Sequence, residues 1–134
     1  MDERYLFKGK RADDGTWICG DLISTRGKYY IHPNANSFEV NAYNLAKCVQ
    51  MIEVDPETVG QCTGLKDKNG KWIFENDIVT MPAYRGGRTK SVVYFKNGKF
   101  AVDGSNYAFK DICPKNMEVI GNIYDNKELL EAER

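Results

Sequence analysis

"GLKDKNGKWIFENDIVTMP", residues 64 to 82, carries the densest run of local folding signals in the chain. Asn69-Gly70, between "LKDK" and "KWIF", is the dipeptide that most strongly specifies a tight hairpin turn, because both residues tolerate positive φ. Trp72, Ile73 and Phe74 follow as a short strand of residues that pack well on a pleated surface. Glu75-Asn76-Asp77 interrupts that run and Ile78 to Met81 resume it. Pro82, which has no amide hydrogen to give, ends the strand or confines it to an edge. Strand, turn, strand, turn, strand describes an antiparallel β ribbon.

The same grammar extends in both directions. "KSVVYFKNGKFAVDG" places Asn97-Gly98 at the tip of a second hairpin, with Val92, Tyr94, Phe100 and Val102 available for cross-strand pairing. "MEVIGNIYDN" reads as a closing strand in which Gly121 marks a bulge or a close approach of backbone. "KELLEAER" reads as a short polar helix or a tail. Towards the N-terminus, "ADDG" supplies a turn pairing "YLFKGKR" with "TWICGDLIS", and "KYYIH" is a further strand ended by Pro33 and the polar "NANS". Residues 37 to 54, "SFEVNAYNLAKCVQMIEV", read two ways: Phe38 and Val40 alternate like a strand, whereas Tyr43, Leu45, Ala46 and Val49 make a short helical face.

The expected fold is therefore mainly β, a β-rich α+β chain of antiparallel hairpins with a small SH3-like or barrel-like C-terminal half and little helix. At 134 residues it can bury a core without staples, as one domain with a subdivision into a β-rich 1–60 and a barrel-like 61–134. Trp17, Ile18, Leu22, Ile73, Phe74, Ile78, Val93, Val119 and Ile123 are the candidate core. "WICGD" (17–21) and "WIFEND" (72–77) are nearly one phrase used twice. Aligning Gly15 with Gly70 superposes Trp17 on Trp72 and Ile18 on Ile73, a similarity that convergent hairpin grammar or a partial repeat would produce.

The net charge is zero with 28% charged residues, so the global balance indicates neither a polyanion-binding protein nor a disordered chain. The four cysteines, Cys19, Cys48, Cys62 and Cys113, are too far apart for a CxxC zinc or redox pair and read as free thiols. With no signal-like leader in "MDERYLFKGKR" and no apolar run long enough to span a bilayer, a cytoplasmic, non-membrane protein is expected.

"FKGKRADDGTWICGDLI" (Phe7 to Ile23), "VDPETVGQCTGLKDKNGKWIFENDIV" (Val54 to Val79) and "EVIGNIYDNKELL" (Glu118 to Leu130) resemble the YopX family, whose members are encoded by bacteriophages and prophages. The resemblance implies a phage-derived accessory protein of a bacterial host cell and brings no assigned catalytic residues. The family pattern has Glu-Gly-Asp ahead of the Ile-Val pair, where this chain has Glu75-Asn76-Asp77. Asn tolerates the left-handed backbone that Gly would supply.

No catalytic, cofactor or metal constellation is assembled. His32 is the one histidine and has no ligand or triad partner at a useful spacing; Cys62 with His32 is a weak nucleophilic pairing. Glu53, Asp55 and Glu57 alternate as carboxylates on a strand face would. Pro56 breaks that strand, however, and makes Asp55 a helix cap with Pro56 at the first position. The most informative cluster is basic and aromatic: Arg85, Arg88, Lys90, Lys96 and Lys99, without an intervening acid, among Tyr84, Tyr94 and Phe95. On a small barrel that is the composition of a single-stranded nucleic-acid site. Edge-protecting lysines on a solvated hairpin explain it more simply. The leading functional expectation is a non-enzymatic protein acting by protein–protein contacts, with a phage or host protein or with itself as a homo-oligomer built on exposed strand edges. The alternative is nucleic-acid binding by the Arg85–Phe100 segment.

Overall fold

A computed structural model of the chain describes residues 6–33, 51–83, 86–103, 109–111 and 114–131. The fold is mainly β, as the sequence predicts: its strands pair antiparallel, and the helical content among the described residues is two 3₁₀ turns and α1 (Glu128–Glu131). The two readings of residues 37 to 54 fall outside the described residues until Met51. The chain divides into two compact units, Met1–Gln61 and Cys62–Arg134.

In the first unit β1 (Phe7–Lys10), β2 (Trp17–Thr25), β3 (Lys28–Pro33) and β4 (Ile52–Val54) pair in succession. The β1–β2 connection closes with the Arg11 amide donating to the Thr16 carbonyl at 2.9 Å, and Gly15 takes the left-handed position at φ 74°. Arg26 and Gly27, at φ 52° and 78°, form a type I′ turn into β3, a tight turn that the sequence reading passes over. β4 is not left as an edge. Arg11 bridges Val54, the Ala12 amide donates to Glu53, and the Asp55 amide donates to Lys10, so β4 returns to the end of β1 and the four strands close on themselves. Gly9 lets the strands approach closely at this closure, since a Cβ there would lie 3.2 Å from the Val54 Cβ and Val54 would have to give way. The chain then turns through Pro56–Thr58, where Asp55 caps the Glu57 amide at 3.0 Å and Pro56 sits in the first turn. Thr58 is buried; its hydroxyl accepts from the Lys10 amide and donates to the Asp55 carbonyl.

β5 (Gly60–Lys66) opens against β1 through Gly60 and Gln61, and its later residues Cys62 and Lys66 pair in the second unit with Phe74 and Trp72 of β6 (Trp72–Phe74). The loop between them departs from the two-residue turn expected of Asn69-Gly70. Gly70 alone is left-handed, at φ 82°; its amide donates to the Asp67 carbonyl, and the Asp67 amide donates to Lys71. This is the three-residue loop with a glycine bulge. Its cause is the Asp67 side chain, whose Oδ1 accepts from the amides of Asn69 and Lys71.

After β6, Asn76 adopts φ 71°, as the sequence predicts, and the buried Asp77 carboxylate accepts from the Phe74 amide at 2.8 Å. β7 (Asp77–Pro82), β8 (Arg88–Lys96), β9 (Lys99–Asp103) and β10 (Phe109–Asp111) form a meander, and β11 (Glu118–Asn122) returns to the free side of β7 with a bulge between Val119 and Gly121. Asn97 and Gly98, at φ 55° and 79°, make the predicted hairpin tip, as a type I′ turn. Ile73, Val79, Met81, Val93, Val102 and Met117 form the core of this unit. Ile73, Phe74, Ile78 and Val93 are buried as expected; Trp17, Ile18, Leu22, Val119 and Ile123 are half-buried. Trp17 departs from the core assignment because its face of β2 also carries the Lys8 and Lys10 partners.

Candidate binding surface on the β8–β9 hairpin

Successive side chains of a strand point to opposite faces, so Val93, in the core, fixes the orientation of β8. Phe95 lies on the Val93 face and directly opposite Phe100, just as Val93 lies opposite Val102. The core row thus continues beyond the body of the sheet as an aromatic pair. The two rings meet edge to face with centroids 4.9 Å apart, and Phe95 is 53% exposed. Arg88, Lys90, Tyr94 and Lys96 alternate onto the other face, and Lys99 joins them directly opposite Lys96. The tip is therefore two-sided, with aromatic rings on one side and lysines on the other.

The cations predicted as a cluster have different employments. The Arg88 guanidinium donates from Nε to Thr80 Oγ1, and from Nη2 to the carbonyls of Thr80 at 3.0 Å and Asn116 at 2.8 Å, pinning the Pro114–Asn116 turn against β7. Lys90 Nζ donates to the Leu129 carbonyl at 3.1 Å and so holds α1. Lys96 and Lys99 stand at the exposed tip. Tyr84 and Arg85 lie outside the described residues.

Cys62 is fully buried in the second unit, as a small apolar residue, whereas His32 lies in the first unit, opposite Asp21 on β2. Glu53 ends up on β4 and Asp55 in its capping role, so the alternating carboxylates do not share one strand face. Among the described residues no group of three or more His, Cys, Asp or Glu side chains could hold a metal ion, and no helix is long and apolar enough to cross a membrane. An open cleft of about 440 Å³ beside the first hairpin is lined by Arg11, Ala12, Asp13, Met51, Ile52 and Glu53. Its most perturbed group is Asp13, whose carboxyl is held down at about 2 chiefly by hydrogen bonds from Arg11 at 2.9 and 2.8 Å. A carboxylate so stabilised is a poor proton acceptor and donor near neutrality.

Sequence reasoning missed two pairings. Lys10 lies directly across from Trp17 and Lys66 across from Trp72, and their ammonium groups sit 5.5 and 4.6 Å from the respective ring centroids; Lys8 also reaches Trp17, at 4.9 Å. Counting outward from Asp14-Gly15 and Asn69-Gly70 as two-residue turns gives Ala12 and Asp67 as the partners instead, so the wider loops hid both pairings.

Two solved structures share this arrangement of strands. One is protein yopX from Bacillus subtilis, with 19% identity, TM-score 0.60, and coverage of 95% of this chain and 98% of that one. The other is protein EF1440 from Enterococcus faecalis, with 22% identity, TM-score 0.54, and coverage of 92% and 96%. No protein of curated function matches the chain. The family model described as YopX protein matches residues 6–131, and with every described strand inside that span the chain belongs to the YopX family.

Proposed function

We propose that this chain is a non-enzymatic accessory protein of phage or prophage origin, working in the bacterial cytoplasm through surface contacts with a partner protein or a second copy of itself. The observation that supports this most directly is the Phe95–Phe100 pair, an apolar extension of the core row exposed at a hairpin tip. Aromatic anchors of this kind carry a large share of contact energy when a partner covers them. The order of the second unit, a four-strand meander whose fifth strand returns to the first through a 3₁₀ turn, supports the SH3-like reading of that half. Sedimentation at micromolar concentration tests self-contact. Species heavier than the monomer that revert to monomer in Phe95→Ser support it. Monomer throughout, together with failure of wild type and Phe95→Ser to differ in capturing host or phage proteins, rejects the reading.

A second reading, nucleic-acid binding, is favoured by the placement of Lys96 directly opposite Lys99 on the Tyr94 face. Like charges in that register oppose folding and suit a polyanion. Fluorescence anisotropy with labelled single- and double-stranded DNA and RNA should then show salt-sensitive binding that Lys96→Glu with Lys99→Glu abolishes. No binding at tens of micromolar protein removes this reading.

A further inference from the structure

We infer that Asn97-Gly98 is a spontaneous modification site, at which the Asn97 carboxamide is lost as ammonia and the β8–β9 tip is rebuilt around an aspartyl or isoaspartyl residue. The tetrapeptide Lys-Asn-Gly-Lys occurs twice, at residues 68–71 and 96–99. In each copy the glycine after asparagine leaves its amide nitrogen unscreened by a Cβ, so the two have the same intrinsic reactivity. The fold treats them differently. At the first, the Gly70 amide donates to the Asp67 carbonyl at 3.0 Å, the Asn69 amide donates to Asp67 Oδ1 at 2.8 Å, and the Asn69 carboxamide donates from Nδ2 to Glu118 at 3.2 Å. The attacking nitrogen and the group it would attack are both tied down around the buried Asp67. At the second, neither the Gly98 amide nor the Asn97 carboxamide has a hydrogen bond among the described residues. Residues Phe95 to Lys99 are exposed.

Water is the sole co-reactant. The Gly98 amide nitrogen gives up its proton and attacks the Asn97 side-chain carbonyl carbon. The new N–Cγ bond closes a succinimide ring, the Cγ–Nδ2 bond breaks, and Nδ2 leaves with the proton as ammonia. Water then opens the ring at Cγ, which gives aspartate, or at the main-chain carbonyl carbon, which gives isoaspartate with the backbone routed through the former side chain. Ring closure requires the left-handed turn at Asn97, φ 55°, to open first. The Lys96–Lys99 pair closes that turn, and a short exposed tip opens at little cost. The Asn69 turn opens only by releasing the Asp67 carboxylate as well. Isoaspartate adds a methylene to a two-residue turn whose length sets the register of the strands it joins, so Phe95 would no longer stand directly opposite Phe100. The effect on contacts made by this tip rests on the function proposed above; the modification itself does not.

The full-length protein, held in warm, mildly alkaline buffer and sampled over time, is digested with pepsin in acid, and the two sites are followed by mass in peptides carrying Trp72 or Phe100. The amide-to-acid mass gain should appear at Asn97 at least about tenfold faster than at Asn69, the factor that one or two further hydrogen bonds confer against local opening. In urea the two sites should convert at one rate, because their flanking residues are the same. Equal rates in the folded protein, or a faster Asn69, overturn the inference, as does a ratio that persists in urea. Asp67→Asn, shown by melting to be folded, should quicken Asn69 and leave Asn97 unchanged; an unmoved Asn69 overturns the protective role of Asp67. If that variant does not fold, the wild-type comparison in and out of urea decides alone. In protein aged to the isoaspartyl form, amide hydrogen exchange at Lys96 and Lys99 should quicken, whereas Asn97→Asp, which has the charge without the added methylene, should match fresh protein. Unchanged exchange in the aged form overturns the loss of register. Quickened exchange with partner capture or self-association intact leaves the modification standing and removes the Phe95–Phe100 contact as the working surface.

Discussion

Trp17 and Trp72 each follow a left-handed glycine by two residues, and each faces a lysine directly across its hairpin, Lys10 in one unit and Lys66 in the other. The isoleucines that follow diverge. Ile73 is fully buried in the core of the second unit, whereas Ile18 is half-buried. The loops diverge further. In the first, Asp13 pairs with Arg11 and Asp14 accepts from the amide and hydroxyl of Thr16, all exposed and within a few residues of one another. In the second, Asp67 is buried, and beyond its own loop its Oδ2 accepts from the Val119 amide at 2.9 Å, while the Lys68 amide donates to the Met117 carbonyl. Near-identical phrases thus give two hairpins that each hold a distant strand by different means, the first through backbone bonds between Lys10–Ala12 and β4, the second through the Asp67 side chain and the Lys68 amide. Only in the second does a loop carboxylate reach away from the loop.

The largest test of this contrast is in the cores. Ile73→Ala should cost about 3–4 kcal/mol in denaturant unfolding, and Ile18→Ala roughly half that or less, since a half-buried side chain leaves a smaller void. Equal losses would mean that the two hairpins are packed alike.

Asp67→Asn comes next. Both carboxylate oxygens accept backbone amides, and an amide side chain would turn its NH2 towards one of them, for a loss of about 2 kcal/mol. The pH dependence sharpens the point. Burial raises the Asp67 carboxyl, but the amides of Val119, Lys71 and Asn69 and the charge of Lys71 together outweigh burial and hold it below its ordinary value. A depressed folded value means the stabilisation is complete above the unfolded carboxyl value, about 4. It fades as pH falls through the lower folded value, so the gap between wild type and Asp67→Asn should be full at pH 6 and narrow towards pH 2. In the first loop, Asp14→Ala should leave the melting midpoint almost unmoved at either pH, because its partners remain solvated. In the second hairpin the smaller effect belongs to Lys66→Gln, which removes a cation–π contact at an exposed site for about 0.5–1 kcal/mol. A larger loss would make Lys66 part of the fastening.

The strands and their pairing were legible because turn chemistry is local: Asn97-Gly98, Asp14-Gly15 and the Asn76 turn all announce themselves within four residues. Asn69-Gly70 announced a turn, but its width is set by the Asp67 carboxylate, which the dipeptide rule ignores. The β8 cations looked like one cluster in sequence, yet the acceptors that occupy Arg88 and Lys90 are the carbonyls of Asn116 and Leu129, and backbone carbonyls carry no sequence signature. The size of Trp17 argues for a place in the core. The alternation of Lys8 and Lys10 across the turn already placed it on the polar side.

The Arg11–Val54 bridge has a kinetic side. The β1–β2–β3 meander can form from neighbouring segments, but the ring is complete only when Val54 comes back to the end of β1, past all the intervening chain. Contacts of such long sequence separation slow folding, because the loop's entropy is lost before the contact repays it. During synthesis the first unit would therefore remain an open three-stranded sheet until β4 and the Pro56–Thr58 turn had emerged, leaving the ribosome-bound intermediate with the edge of β3 and the end of β1 that β4 later covers.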